Sequence, residues 1–267
     1  MNAGYVGSEI AEMIEMRPAM DKSWHCQGFY GSTHHNVKAI YQLYLGWYDG
    51  NPAHLWQHPP EAAGARYVEV IGGGSATVIK AKEHLDRGDL RFAAELASHA
   101  VFADQYNVAA KDLLASIFER LGYGSENAVW RYCFLQGAQE LRTNKIGHTD
   151  VNSARMAPAM TVTQLFDMIA VRVNGPKAWS ERFSINWHLT DENARYRIEL
   201  SNGALIHFLT KVKQDSDATI TLNRPQLLSF ITTGAIDKLK IEGDGSVLGK
   251  LLDLLDTPDF DFAIVTP

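Results

Sequence analysis

The residues best equipped for chemistry lie close together near the start of the chain, in YGSTHHNVKAIYQLYLGWYDGNP, residues 30–52. His34, His35 and Asn36 stand directly before a helix-compatible run on which Tyr41, Tyr44 and Tyr48 recur at spacings of three and four. That spacing gathers the phenols on one helix face. A histidine at the N-terminal end of such a helix meets the partial positive charge of the free backbone N–H groups. Imidazole and phenol can each donate to sulfate or phosphate oxygens, so the stretch suits an oxyanion receptor. A tyrosine stripe serves a protein interface equally well, and the residue types leave both uses open.

Other candidates are weaker. VEVIGGGSATVIKAK carries Gly72-x-Gly74 before a helical run, as a dinucleotide fingerprint would, but Thr77 holds the third glycine position. The preceding run opens with Pro59-Pro60-Glu61-Ala62-Ala63, a helix start, so a helix–turn–helix is expected instead of a strand. His54 and His58 have zinc-ligand spacing for a helix, yet Pro52, Pro59 and Pro60 flank them and no third ligand is near. Surface histidines in a loop are expected. Trp179, Phe183, Trp187 and Phe208 read as core beneath a sheet, or as the lining of a tunnel for an alkyl chain.

These residues must be positioned by a chain of 267 residues, enough for two ordinary domains. A net charge of -6 argues against broad nucleic-acid binding. Cys26 and Cys133 match no metal spacing, and a reducing compartment is the default. No apolar run approaches the roughly 20 residues that span a bilayer. The first residues, with Glu9, Glu12 and Glu15, are no secretory signal; they read as a helix capped by Ser8 that continues something upstream.

Periodicity divides the chain into three. The aromatic stretch fills residues 1 to about 60. Residues from about 60 to 145 read as helices, including a pair built on Phe92, Leu96 and Ala100, then Leu113, Leu114 and Ile117. After the polar segment HTDVNSARMAP, the best linker, an amphipathic helix precedes strands in FSINWHLT, ARYRIELSNG, ALIHFLTK and ATITLNR. Two more helices, RPQLLSFITTG and SVLGKLLDLLD, complete an α+β module.

GYVGSEIAEMIEM, followed by WHCQGFYGSTHHNVKAIYQLYLGWYDGNP, closely resembles the alkylsulfatases of the metallo-β-lactamase superfamily, which hydrolyse alkyl sulfates such as dodecyl sulfate. GDLRFAAELASHAVFAD is similar to their dimerisation domain. DATITLNRPQLLSFITTG and the final IEGDGSVLGKLLDLLDTPDFDFAIVTP are similar to their sterol-carrier-like C-terminal domain. The resemblance implies the tail of a catalytic domain (1–58), a helical dimerisation domain (59–148) and a sterol-carrier-like domain with an antiparallel sheet and helices (149–267). It implies that His35 faces the sulfate group, helped by Asn36 and by Tyr44 or Tyr48, with His34 incidental. It implies a homodimer, alkyl sulfate or fatty alcohol as ligand, and two zinc ions in the full-length enzymes. The His-x-His-x-Asp-His run that binds those ions in the family has no counterpart here, so no metal ligands are assigned and the chain alone is expected to be inactive. Two alternatives stand beside this reading: a stand-alone, non-catalytic lipid-binding dimer, and a subunit completed in trans by a separate zinc domain. A broad apolar face beside His35 would speak against self-sufficiency. The chain as it stands would be cytoplasmic, with periplasmic export open to the full-length parent.

Overall fold

The computed structural model describes residues 1–145, 156–212, 214–237, 239–259 and 261–267. Residues 148–155 of the expected linker lie outside these. The described chain forms two compact units: residues 1–145 with 261–267, and residues 156–259.

The first unit is helical. It runs through α1 (Gly7–Met13), α2 (Pro18–Asp21), α3 (Thr33–Leu45), α4 (Pro52–Leu55), α5 (Pro60–Ile71), α6 (Gly74–Asp86), α7 (Leu90–Ala103), α8 (Val108–Gly124) and α9 (Ala128–Thr143). Asp89, Asn107 and Asn127 cap α7, α8 and α9, each accepting a hydrogen bond from a free N–H of the first turn. Small residues dominate the buried seams: Ala93, Ala97, Ala100, Ala110 and Ala115 let the helices approach, and Leu96, Leu114 and Ile117 fill the space between. α7 packs on α5, α6 and α8, and α8 packs on α9. The suspected dinucleotide loop is a helix–helix turn. Gly72 ends α5 in the left-handed conformation at φ 109°, and α6 begins two residues later.

Two sequence expectations change here. Ser8 does not cap α1. The N-cap is Val6, whose N–H is taken by the Glu9 carboxylate at 2.8 Å. Residues 261–267 pack with the helical unit, although the sequence groups them with the C-terminal section. The N–H groups of Ile264 and Val265 and the hydroxyl of Thr266 all donate to Oε1 of the buried Glu140, at 3.0, 2.9 and 3.2 Å.

The second unit holds α10 (Met156–Ala159), α11 (Val162–Ala170), α12 (Gly175–Ala178), β1 (Phe183–Leu189), β2 (Ala194–Ser201), β3 (Ala204–Leu209), β4 (Ala218–Leu222), α13 (Arg224–Thr233), β5 (Lys240–Gly243) and α14 (Ser246–Asp253). The five strands lie in the order β3-β2-β1-β4-β5. All neighbours are antiparallel except β1 and β4, which are parallel. The turn between β2 and β3 uses Asn202 and Gly203, at φ 52° and 75°. One sheet face, carrying Phe183, Ile185, Trp187 and Leu189, packs with Leu165, Phe166 and Ile169 of α11, Leu227 and Phe230 of α13, and Leu248 and Leu251 of α14. The opposite face is polar and internally bonded. There the side chain of the buried Arg197 reaches Asn186 Oδ1 at 3.2 Å and the Asp215 carbonyl at 2.9 Å.

Candidate functional site

The order of the residues around α3 decides what each can face. Ser32 is the N-cap, its hydroxyl accepting from the His35 backbone N–H at 3.1 Å. His34 and His35 therefore occupy adjacent first-turn positions, and their side chains diverge around the helix. His34 lines a cleft of about 640 Å³ together with Glu12, Lys38, Arg91, Arg120 and Trp130. Its Nε2 bonds Glu12 Oε1 at 3.1 Å, its Nδ1 is buried without a partner, and its ring meets Trp130 edge-on at 5.5 Å. Arg91 also binds Glu12, at 2.8 Å. The hydrogen bond from His34, and after it Arg91, hold the Glu12 carboxyl below the ordinary glutamate range.

His35 points elsewhere. It is exposed, and its Nδ1 accepts from Trp130 Nε1 at 3.1 Å. Asn36 is exposed beside Gly31. The three tyrosines do not act as one stripe: Tyr41 packs against Gly7 of α1, Tyr44 is open to solvent, and Tyr48 is half-buried beside Trp47. His54 sits on the one-turn helix α4, bonded to Asp49 at 2.5 Å, and His58 is exposed. Pro52 at the first helical position and the Asn51 cap make that turn where a loop was expected.

The segment around α3 carries many exposed apolar side chains. No residue of α3 is buried. Trp24, Leu43, Trp47 and Trp56 are 78, 77, 71 and 95% exposed, and Ile40, Leu45 and Leu55 add to them.

The four aromatics proposed to line an alkyl tunnel are not brought together. Trp187 and Phe183 lie in the core, Trp187 between Phe166 and Phe230 at 5.6 and 5.4 Å. Phe208 pairs with Arg197 across β2, which in turn pairs with Asn186, so it stands on the opposite, polar face of the sheet. Trp179 is largely exposed and covers the β2–β3 turn, where a Cβ on Gly203 would lie 2.6 Å from its Cδ1. Strand alternation explains the separation: residues 187 and 208 hold positions of opposite parity in the ladder.

Sequence reasoning missed Glu12, Arg91, Trp130 and Glu140. Each works through a partner distant in the chain, such as Arg91 on Glu12 and Trp130 on His35, and no local pattern marks that. Among the described residues, no group of three or more His, Cys, Asp or Glu side chains is placed to hold a metal ion, and no helix is long and apolar enough to cross a membrane.

Residues 6–144 match the family model for alkyl sulfatase dimerisation, and residues 150–267 match the one for the alkyl sulfatase C-terminal domain. The chain is 41% identical to a linear primary-alkylsulfatase of Pseudomonas sp, covering all of this chain and 41% of that protein. It is 37% identical to an (R)-specific secondary-alkylsulfatase of Pseudomonas sp, covering 100% of this chain and 42% of that one. The solved structure of a stereoselective inverting sec-alkylsulfatase from Pseudomonas sp. superposes with a TM-score of 0.94 at 36% identity, over all of this chain and 43% of its own. The chain thus spans about two-fifths of the length of these relatives.

Proposed function

The chain belongs to the alkylsulfatase family, and from that premise we propose that it acts as the C-terminal part of an alkyl sulfate ester hydrolase. In this reading His35, at the N-terminal end of α3, donates from its ring to a sulfate oxygen, with Asn36, Tyr44 and Tyr48 as further donors. The helical unit assembles two copies. In this reading residues outside this chain would hold the two zinc ions implied for such enzymes; among the described residues no group of three or more His, Cys, Asp or Glu side chains is placed to hold a metal ion.

The observation that carries the proposal is the match of both halves of the chain to alkyl sulfatase family models, and the exposure of Trp24, Trp47 and Trp56 between residues 24 and 56 supports it. Large apolar side chains left exposed in this number suit an interaction surface. Such a surface favours a site completed by further polypeptide over a stand-alone lipid binder. Joining through one chain and docking in trans share this surface, and co-purification of a second chain would mark the latter.

The test is sulfate release from dodecyl sulfate by this chain alone with zinc added. None is expected. Turnover that His35→Ala abolishes would overturn the placement of the metal centre outside the chain. Sedimentation at micromolar concentration is expected to give twice the chain mass of 29.7 kDa, and a monomer would contradict the assembly role.

A further inference from the structure

Trp130 and His35 are 95 residues apart in sequence, yet the indole N–H donates to His35 Nδ1 at 3.1 Å. An indole N–H is a donor only, so the nitrogen that accepts it carries no proton. A neutral imidazole held in this way keeps its proton on Nε2. Both partners are anchored. Asn127, buried, accepts from the Trp130 backbone N–H at 2.9 Å and donates to the Tyr30 carbonyl at 2.6 Å. Ala128 N–H donates to the Phe29 carbonyl at 2.7 Å, stitching the start of α9 to the segment that leads into α3. His34 also packs edge-on against the Trp130 ring and is tied to Glu12. Of the two adjacent histidines, His34 is turned into the helical unit, and His35 is the one left exposed.

We infer that Trp130 is a positioning residue for His35: it fixes the Nε2–H tautomer and turns that N–H outward, ready to donate to the sulfate group. This rests on the sulfate-facing reading of His35. It gives α9, part of the segment matched to the dimerisation family, a role in the chemistry as well as in assembly.

The test uses the chain labelled with 15N-histidine and long-range proton–nitrogen correlation under mildly alkaline conditions, with His35 assigned by the loss of its signals in His35→Gln. The parent is expected to show a single Nε2–H tautomer at His35. Trp130→Phe, which keeps a ring in place, is expected to show both tautomers in exchange, with unchanged helix content. A parent that shows Nδ1–H or a mixture overturns the inference, and so does a Trp130→Phe variant that keeps one tautomer. Should that variant not fold, nitrogen–nitrogen coupling across the hydrogen bond between Trp130 Nε1 and His35 Nδ1, in the parent labelled with both 15N-histidine and 15N-tryptophan, decides: its presence supports the inference and its absence overturns it. Titration with dodecyl sulfate separates the two readings, because no response at His35 Nε2 counts against the sulfate role alone.

Discussion

In the C-terminal unit Trp187 stands fully buried between Phe166 and Phe230, whereas Trp24, Trp47 and Trp56 in the N-terminal segment lie open to solvent. Both regions carry large aromatics and use these tryptophans in opposite ways. The sheet and its three packed helices bury Trp187, Phe166, Phe230 and their neighbours within one cluster, so that unit covers its own core. Helix α3 encloses nothing. It is held by its Ser32 cap, by contact with α1 and by the stitches from Asn127 and Ala128. Apolar area left in water forgoes about 25 cal/mol per Å², so a segment with this much of it gains by being covered. The difference separates a region built to fold from a region built to meet something.

Matched substitutions would break or sharpen this contrast. Trp187→Ala is expected to cost about 3–5 kcal/mol, because it removes a large buried ring and leaves a cavity. Trp56→Ala is expected to change stability by less than about 0.5 kcal/mol. Denaturant unfolding followed by circular dichroism checks both, and a comparable loss in the two variants would erase the distinction. Next in size is Glu140→Ala, which strands three donors of residues 264–266 and should cost about 1–3 kcal/mol. Glu140→Gln keeps an acceptor and should cost less; equal losses would show that the carboxylate is not what holds the tail.

The smallest effect concerns pH. Burial pushes the His99 imidazole, stacked on Tyr67 at 4.2 Å, below its ordinary value of 6.5. The folded state therefore favours the neutral ring. That contribution is present above about pH 6.5 and is lost as the pH falls through the lower folded value. His99→Gln should flatten the decline in unfolding midpoint between about pH 7 and 5, and a profile unchanged by the substitution would remove His99 from the account.

The fold was largely legible in the sequence because its periods are local. The alternation of Phe183, Ile185, Trp187 and Leu189 marks β1 as surely as the 3.6-residue spacing marks α7 and α8. Strand β5, four residues with Ile241 alone half-buried, offers too short a pattern to read. The parallel pairing of β1 with β4 is a choice between partners that no single segment encodes. The docking of residues 261–267 on Glu140 depends on a partner more than 120 residues away. The candidate site divides in the same manner. The histidines and the helix beside them were readable, although that helix begins at Thr33 under a Ser32 cap and so includes them; the assignment of His34 to the cleft and His35 to the surface was not, because adjacent residues differ only by a rotation about the helix. The tyrosine stripe misled because Tyr41 is occupied by α1.

The most direct test of the central claim joins the chain to the part of the Pseudomonas linear primary-alkylsulfatase that it does not cover, in one polypeptide, and measures sulfate release from dodecyl sulfate with zinc. The account predicts turnover that His35→Ala lowers by at least about a hundredfold, the range removed with a positioned donor or acid. Turnover indifferent to His35→Ala would contradict it.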